Sequence, residues 1–179
     1  MTDAGAPRLF YGWVVVAAVF VVLFFGFGAA YSFGAFFEAM QTEFSATRAS
    51  ISFVFSLAAL IYFLVGAGAG PAADRFGPRW IVAAGMVVVG LGLVVASRAE
   101  TLTGVYIAYG LAIGVGMGLA YVPSVGATQR WFVVRRGRAS GWASAGIGVG
   151  TLCMPIIATW LIETASWRTA YLVIGIAVL

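Results

Sequence analysis

Six apolar segments separated by short polar breaks restrict how this chain can fold more than any other feature. They cover residues 11–37, 51–70, 80–97, 104–129, 140–162 and 169–179. A helix needs about 17–25 residues to cross the roughly 30 Å of hydrocarbon in a bilayer, and the first five segments are long enough. Hydrophobic residues make up 63% of the chain and charged residues 9%, whereas soluble domains have about 45–50% and about 25%. The sequence therefore predicts an all-α polytopic membrane protein that lies in the lipid bilayer.

The sixth segment is shorter than the others. It has eleven residues, which would form a helix only about 16 Å long. We therefore expect the sixth helix to be truncated and the chain to be the amino-terminal part of a longer protein.

All ten basic residues are arginines, and they lie in the polar breaks. If successive helices alternate in direction, three arginines lie on one side of the membrane and seven on the other: Arg8, Arg75, Arg79, Arg130, Arg135, Arg136 and Arg138. Because cytoplasmic loops carry an excess of positive charge, we expect the amino terminus and the loops after the second and fourth helices to face the cytoplasm. The net charge of +4 then reflects membrane topology, and no nucleic-acid partner is expected.

A short phrase occurs twice in the chain. GFGAAY at residues 26–31 corresponds to GMGLAY at 116–121, and RAS follows at 48–50 and 138–140, so that seven of 25 aligned positions are identical. The copies fall on the first and fourth helices, which run in opposite directions. Inverted three-helix repeats are typical of secondary transporters, whose substrate site lies near the membrane midplane between the repeats. The pattern favours a 3+3 inverted repeat with Tyr31 and Tyr121 as related site residues; chance identity in a chain rich in glycine and alanine is the alternative.

Glycines recur at a spacing of four on two predicted helices. Gly110, Gly114 and Gly118 form one strip, and Gly146 and Gly150 form another. Small residues at this spacing let a neighbouring helix backbone come close. They predict either static packing surfaces or surfaces that slide during a conformational change. A third group of glycines, at 66, 68 and 70, is expected to end the second helix.

The turn between the second and third segments reads GPAADRFGPRW, residues 70–80. It resembles the signature turn of the major facilitator superfamily at five positions: Gly70, Asp74, Arg75, Gly77 and Arg79. The resemblance implies a six-helix amino-terminal half of a major facilitator fold, in which this turn gates the cytoplasmic side by latching against the second half. From the residues themselves, Gly77 and Pro78 predict a tight turn, and Asp74 is expected to accept hydrogen bonds at a helix amino terminus.

A second stretch, WFVVRRGRASGWASAG at residues 131–146, is similar to the fifth-helix signature of monocarboxylate transporters and oxalate/formate antiporters. Its matching residues include Arg135, Arg136, Gly141 and Gly146, whereas Val134 and Arg138 depart from the pattern. Two shorter matches accompany it: Tyr11-Gly12-Trp13 corresponds to the end of that family's first-helix motif, and Ser166-Trp167-Arg168 to the family's motif before the sixth helix. The resemblance implies a carrier of small organic anions in a cell membrane, for which a bacterial inner membrane is expected.

No charged residue falls within a predicted span, yet a buried carboxylate needs a cation beside it. In the resembled family an arginine of the carboxy-terminal half supplies that cation, so the missing six-helix half is an expected partner. Animal monocarboxylate carriers also use a first-helix lysine, for which Ala35 stands here. This half is expected to offer neutral contacts, from Tyr31, Tyr121, Tyr62, Ser56, Thr151 and Cys153. Two further tyrosines, Tyr106 and Tyr109, are expected at the lipid interface.

Enzymatic chemistry finds little support in the sequence. Histidine is absent and there is one cysteine, so we expect no metal site and no cofactor. No phosphate-binding loop, buried carboxylate pair or nucleophile beside a base is present either. The residues favour a transporter, and the resemblance implies that it moves small mono- or dicarboxylates by proton symport or anion exchange. The alternatives are a facilitator for a neutral solute or drug and a nontransporting membrane sensor.

Overall fold

Six helices joined by short turns make up the fold. The computed structural model describes residues 11–132 and 135–179, so that Arg8 and Val134 lie outside the described residues. The helices are α1 (Tyr11–Phe44), α2 (Arg48–Phe76), α3 (Pro78–Ala96), α4 (Leu102–Trp131), α5 (Arg136–Thr164) and α6 (Trp167–Val178). The first five are long and apolar enough to cross a membrane, while α6 is apolar but has 12 residues. No strand occurs in the described ranges, and the all-α fold is confirmed.

The helices extend beyond the apolar segments that predicted them. The second helix continues to Phe76 through Pro71, so the expectation that the glycines at 66, 68 and 70 end it is wrong. Hydropathy marks the part of a helix that lies in hydrocarbon, whereas capping residues determine where the helix begins and ends. The Oγ1 of Thr47 accepts a hydrogen bond from the Ser50 amide at 3.2 Å and begins α2. Gly77, with a φ of 88° that favours glycine, ends it.

Two helices are irregular at the same level of the bundle. Ser32 interrupts α1, which consists of Tyr11–Tyr31 and Phe33–Phe44, and α4 contains a π-helical turn over Tyr106–Leu111. The hydroxyl of Tyr109, on that turn, donates a hydrogen bond of 2.9 Å to the Ala30 carbonyl beside the interruption. Because Tyr109 is fully buried, its expected place at the lipid interface is wrong. Its neighbour Tyr106 is half-buried and donates to the Ser50 carbonyl at 2.6 Å.

The two glycine strips are packing surfaces, as predicted. On α4, a Cβ added to Gly114 would lie 2.8 Å from the Ala58 carbonyl of α2, and one added to Gly118 would lie 3.0 Å from the Tyr62 carbonyl. On α5, a Cβ at Gly146 or Gly150 would collide with the backbone of α1. Such close approaches require glycine, because the neighbouring atoms belong to the main chain.

Helix pairing follows the predicted inverted repeat. Extensive contacts join α1 to α5 and α2 to α4, and smaller ones join α2 to α3 and α5 to α6. An inverted repeat relates α1 to α4, α2 to α5 and α3 to α6. Under this relation the α1–α5 contact corresponds to the α2–α4 contact, and the α2–α3 contact corresponds to the α5–α6 contact. The contact between α3 and α4 is also extensive, while its counterpart between α6 and α1 is small. The fold is thus a six-helix 3+3 bundle whose larger core surrounds Phe36, Tyr109 and Tyr171.

Candidate functional site

A cluster of aromatic rings lies where α1, α2 and α4 meet. Phe27 of α1 is its centre: the Phe27 ring centroid is 5.4 Å from that of Tyr121 and 6.3 Å from those of Tyr31 and Tyr62. The Tyr62 and Tyr121 rings are themselves 6.1 Å apart. All three predicted site tyrosines, which come from three different helices, therefore lie around one phenylalanine. Both tyrosines of the repeated phrase contact that ring.

A cavity of about 140 Å³ opens beside Phe27. We call it the aromatic hollow. Its lining comprises five aromatic residues, namely Phe27, Tyr31, Phe55, Tyr62 and Phe63. The remainder is aliphatic or thioether, from Ala30, Ala58, Ala59, Ile113 and Met117. Among the described residues, the lining contains no charged side chain, and two of its members, Tyr31 and Tyr62, carry a hydroxyl.

A second cavity, of about 320 Å³, adjoins the first along α1 and α2. We call it the serine hollow, and its lining residues are Tyr31, Phe33, Gly34, Phe37, Ser52, Phe55 and Ser56. Tyr31 and Phe55 belong to both hollows. The hydroxyl of Ser56 donates a hydrogen bond to the Ser52 carbonyl at 3.2 Å. The Ser56 oxygen can still act as a hydrogen-bond acceptor. The two hollows are therefore neighbours, one with a mainly apolar lining and the other with serine hydroxyls.

The predicted site residues divide into two groups. Tyr31, Tyr62 and Ser56 line the hollows, and Tyr121 contacts the rings around them. Thr151 and Cys153 lie on α5 and line neither hollow, and the Thr151 hydroxyl donates to the Gly148 carbonyl at 3.1 Å. Phe27 was missed by sequence reasoning, although it lies inside the repeated phrase. The available signal was its spacing of four from Tyr31, which places both on one face of a helix.

At one end of the bundle, α2 and α4 are joined by an ion pair between Asp74 and Arg130. Asp74 lies in the last turn of α2, so its expected position at a helix amino terminus is wrong. A carboxylate near a helix carboxy terminus is unfavourable, and Arg130 offsets its charge. Gly77 and Pro78 form the predicted tight turn, with Pro78 as the first residue of α3.

Other predicted gating residues lie around this turn. The Arg75 and Arg79 guanidiniums are 5.3 Å and 5.7 Å from the rings of Phe76 and Trp80. Gly70 lies within α2, where an added Cβ would be 3.9 Å from Val122 of α4. Because Asp74 and Arg130 touch, the connections after α2 and α4 lie at the same end of the bundle. That end carries the arginines at 75, 79, 130, 135, 136 and 138.

The two motifs that resemble monocarboxylate transporters meet in space near that end. The Tyr11 ring lies 5.1 Å from Trp131, and the Trp13 ring lies 5.3 Å from Phe132. The Nε of Arg136 donates to the Phe132 carbonyl at 2.8 Å, tying the start of α5 to the end of α4. Gly12 is buried between the two aromatic residues of its motif. The aromatic positions of the two motifs thus form one packed contact between α1 and the α4–α5 connection.

The opposite end is held by a polar cluster. Arg168 forms an ion pair with Glu43 at 2.6 Å and donates to the Ala99 carbonyl at 2.9 Å. The Trp167 indole nitrogen donates to the same Glu43 carboxylate, and Ser166 caps α6 through the Thr169 amide at 3.1 Å. The Ser-Trp-Arg motif therefore connects α6 to α1 and to the α3–α4 connection. Sequence reasoning did not identify Glu43 as its partner.

The chemistry available at the site is binding by shape and hydrogen bonds. Within residues 11–132 and 135–179 there is no group of three or more histidine, cysteine or acidic side chains that could hold a metal ion. The hollows offer aromatic surface and neutral hydroxyls, with the tyrosine and serine oxygens as donors and acceptors. These features, in a bundle of membrane-length helices with an inverted repeat, define the class of membrane transporter halves.

Comparison with known proteins agrees with this class. Residues 18–179 match the Major Facilitator Superfamily, and the chain belongs to that family. It is 30% identical over 165 residues to monocarboxylate transporter 13 of Rattus norvegicus, covering 92% of this chain and 39% of that protein. Monocarboxylate transporter 11 of Mus musculus is 32% identical over 172 residues, with coverages of 96% and 38%, and monocarboxylate transporter 6 of Homo sapiens is 31% identical over 165 residues, with coverages of 92% and 33%. The chain therefore spans about two fifths or less of the length of these relatives, which are all named as transporters.

Proposed function

We propose that the protein acts in a secondary active transporter that moves small mono- or dicarboxylates by alternating access. The observation that carries this proposal is the gathering of Tyr31, Tyr62 and Tyr121 around Phe27, which lines a cavity at the meeting of α1, α2 and α4. Tyr31 lines both hollows, and a tyrosine hydroxyl can donate a hydrogen bond to a carboxylate inside a membrane protein. The relatives named as monocarboxylate transporters support the same substrate class.

The charge of the substrate indicates that this bundle works with a second one. Within residues 11–132 and 135–179, no cation lines either hollow, and burying an unpaired carboxylate costs several kcal/mol. The relatives extend well beyond the length matched here. We propose that a carboxy-terminal six-helix half completes the site and contributes an arginine or lysine to it. The two halves would then rock about the substrate, exposing it to each side in turn.

The proposed direction of insertion rests on charge. The arginine-rich end, defined by the connections after α2 and α4, is proposed to face the cytoplasm, with the amino terminus on that side. We propose a bacterial inner membrane as the location of the protein. The proposed coupling mode is proton symport or anion exchange, and Ala35 offers no lysine for proton transfer.

Uptake into proteoliposomes containing the full-length protein tests the proposed activity. We expect radiolabelled lactate, formate or oxalate to enter these vesicles faster than it enters control vesicles without the protein. For exchange, uptake is expected to be faster still when the vesicles are preloaded with an unlabelled carboxylate. Acceleration by preloading identifies exchange, while acceleration by an inward proton gradient identifies symport. If none of the three anions enters, the substrate class is wrong.

A neutral solute or drug is the second candidate substrate. It is favoured by the linings of both hollows, to which the part of the chain that the structure describes contributes no charged residue. An arginine or lysine in the eighth or eleventh helix of the full-length protein would indicate that the substrate is an anion and not a neutral molecule. A nontransporting sensor would bind the carboxylate without any flux across the vesicle membrane, so binding and uptake measured on one preparation separate the two functions.

We propose that Asp74 contributes to gating on the arginine-rich side. Both members of its ion pair with Arg130 are largely exposed, at 61% and 64%, so the pair itself contributes only about 0–1 kcal/mol to stability. Asp74→Asn is therefore expected to leave the unfolding temperature nearly unchanged. The initial uptake rate is expected to fall about tenfold, equivalent to about 1.4 kcal/mol.

Charge reversal separates a gating contact from a local one. In the double variant Asp74→Arg, Arg130→Asp the ion pair between α2 and α4 can form with opposite polarity. We expect uptake to remain low, because a contact of Asp74 with the second half would still be lost. Recovery of uptake in the double variant would show that Asp74 acts through Arg130 alone.

A further inference from the structure

The aromatic hollow is built to receive an apolar group rather than a carboxylate. Aromatic rings carry partial negative charge on their faces and partial positive charge on their edges. The Phe27 ring meets Tyr62 and Tyr121 edge to face, at 76° and 80°, which is the favourable arrangement for aromatic groups. A carboxylate placed against these faces would be repelled, whereas a further ring can extend the same packing.

The size of the hollow matches a single ring. Its volume is about 140 Å³, close to the roughly 150 Å³ of an engineered apolar protein cavity that binds benzene. Ile113 and Met117 line it from α4, and the flexible thioether of Met117 can adapt to the shape of a bound group. A substrate whose tail is only a methyl group would leave most of this volume empty and would make few of the available van der Waals contacts.

The serine hollow supplies the complementary polar surface. It shares Tyr31 and Phe55 with the aromatic hollow, and it adds the hydroxyls of Ser52 and Ser56. A molecule whose apolar tail fills the aromatic hollow would therefore direct its polar end toward hydroxyl groups. The two hollows in sequence suit a molecule that is apolar at one end and polar at the other.

From this arrangement we infer that the substrate is a monocarboxylate with one aromatic ring as its tail, and that the aromatic hollow selects for that ring. The inference rests on the proposed transport of carboxylates and adds the chemistry of the tail. The specificity-determining residues are Phe27, Phe55, Ala59, Tyr62 and Met117. Ala59 has a particular role, because its small side chain keeps the hollow open on the α2 side.

Transport of pyruvate and phenylpyruvate by the full-length protein in proteoliposomes tests this inference. The two anions share a 2-oxo carboxylate and differ by one phenyl ring. Filling the hollow is expected to lower the KM of phenylpyruvate at least about tenfold below that of pyruvate, since even one added methylene in an apolar pocket changes specificity by about 10–200-fold. Equal KM values for the two anions would overturn the inference while leaving carboxylate transport intact.

The variant Ala59→Leu fills the hollow with a side chain. We expect the KM of phenylpyruvate to rise about tenfold and that of pyruvate to change little. The matched control is Ala67→Leu, which makes the same change at an exposed position on α2 outside both hollows, and it is expected to behave as the unmodified protein does. Equal increases for both anions in Ala59→Leu would show that the hollow does not hold the ring. If the unmodified protein transports neither of these two anions but still takes up lactate, formate or oxalate, the inference fails and the proposed function stands; if it takes up none of the five anions, both fail. The comparison of the two anions in the unmodified protein does not depend on either variant.

Discussion

Replacing Gly150 with alanine is expected to lower the free energy of unfolding by about 1–3 kcal/mol, the usual cost of overpacking a tightly packed interior. A Cβ at this position would collide with the Phe24 main chain of α1. A main-chain atom cannot move aside as the end of a flexible side chain can, so α1 and α5 would have to separate. In a bilayer, helix association depends on close van der Waals packing, because burial gives no hydrophobic gain there. A small separation along the whole helix pair therefore weakens the bundle.

The matched control lies two residues earlier on the same helix. A Cβ at Gly148 would meet no atom within 4 Å, and alanine has the higher helix propensity, by up to about 1 kcal/mol. Gly148→Ala is therefore expected to be neutral or slightly stabilising. Unfolding of the purified protein in detergent, followed by loss of the monodisperse peak on heating, measures both variants. Equal destabilisation by the two substitutions would contradict the packing role assigned to Gly150.

The opposite expectations for Gly148 and Gly150 show what sequence can and cannot predict here. The spacing of four between Gly146 and Gly150 correctly predicted a close helix contact, and Gly148 falls on another side of the helix by its spacing of two. The class of fold was predictable because hydropathy reports the solvent around each segment directly. The partner of each strip was not predictable, because a strip of glycines carries no information about which backbone it meets.

Errors in the predicted helix ends have a similar physical origin. The prediction that α2 stops at Gly70 treated glycine as a residue that ends helices, which it often does in water-soluble proteins. Neighbouring helices allow such residues inside membrane helices, and the residue that ends α2 is Gly77, with its positive φ.

The predicted position of Tyr109 was wrong for a different reason. An amphipathic ring suits both a lipid interface and a buried site with a hydrogen-bond acceptor, and only the fold supplies the Ala30 carbonyl.

The candidate site was predictable in part. The repeated phrase directed attention to Tyr31 and Tyr121, and the structure places both rings against Phe27. The charged contacts at the two ends were not predictable, because they join distant positions: Asp74 and Arg130 are 56 residues apart, and Glu43 and Trp167 are 124 apart. No local periodicity connects such pairs. The family resemblance indicated which residues matter near these ends, while their partners required the fold.

The second large effect is expected from the tyrosine that connects the irregular parts of α1 and α4. Tyr109→Phe retains the ring contacts with Phe33 at 5.0 Å and Tyr171 at 5.7 Å, and it removes only the hydroxyl that donates to Ala30. Loss of a donor to a buried carbonyl costs about 1–2 kcal/mol of unfolding free energy. The carbonyl belongs to the residue before Tyr31, so the lost contact also loosens the α1 interruption that positions Tyr31 in both hollows.

Tyr171→Phe is the matched control for this prediction. Tyr171 is equally buried, and its hydroxyl has no hydrogen-bond partner among the described residues. Removing an unpaired buried hydroxyl is expected to be neutral or to stabilise the protein, because the desolvation cost of that group disappears. The two substitutions delete the same atom from adjacent rings, so their difference isolates the hydrogen bond to Ala30 from ring packing. Denaturant titration of the purified protein, followed by tryptophan fluorescence, measures that difference. Equal free-energy changes in the two variants would show that the α1 interruption is held by ring packing alone.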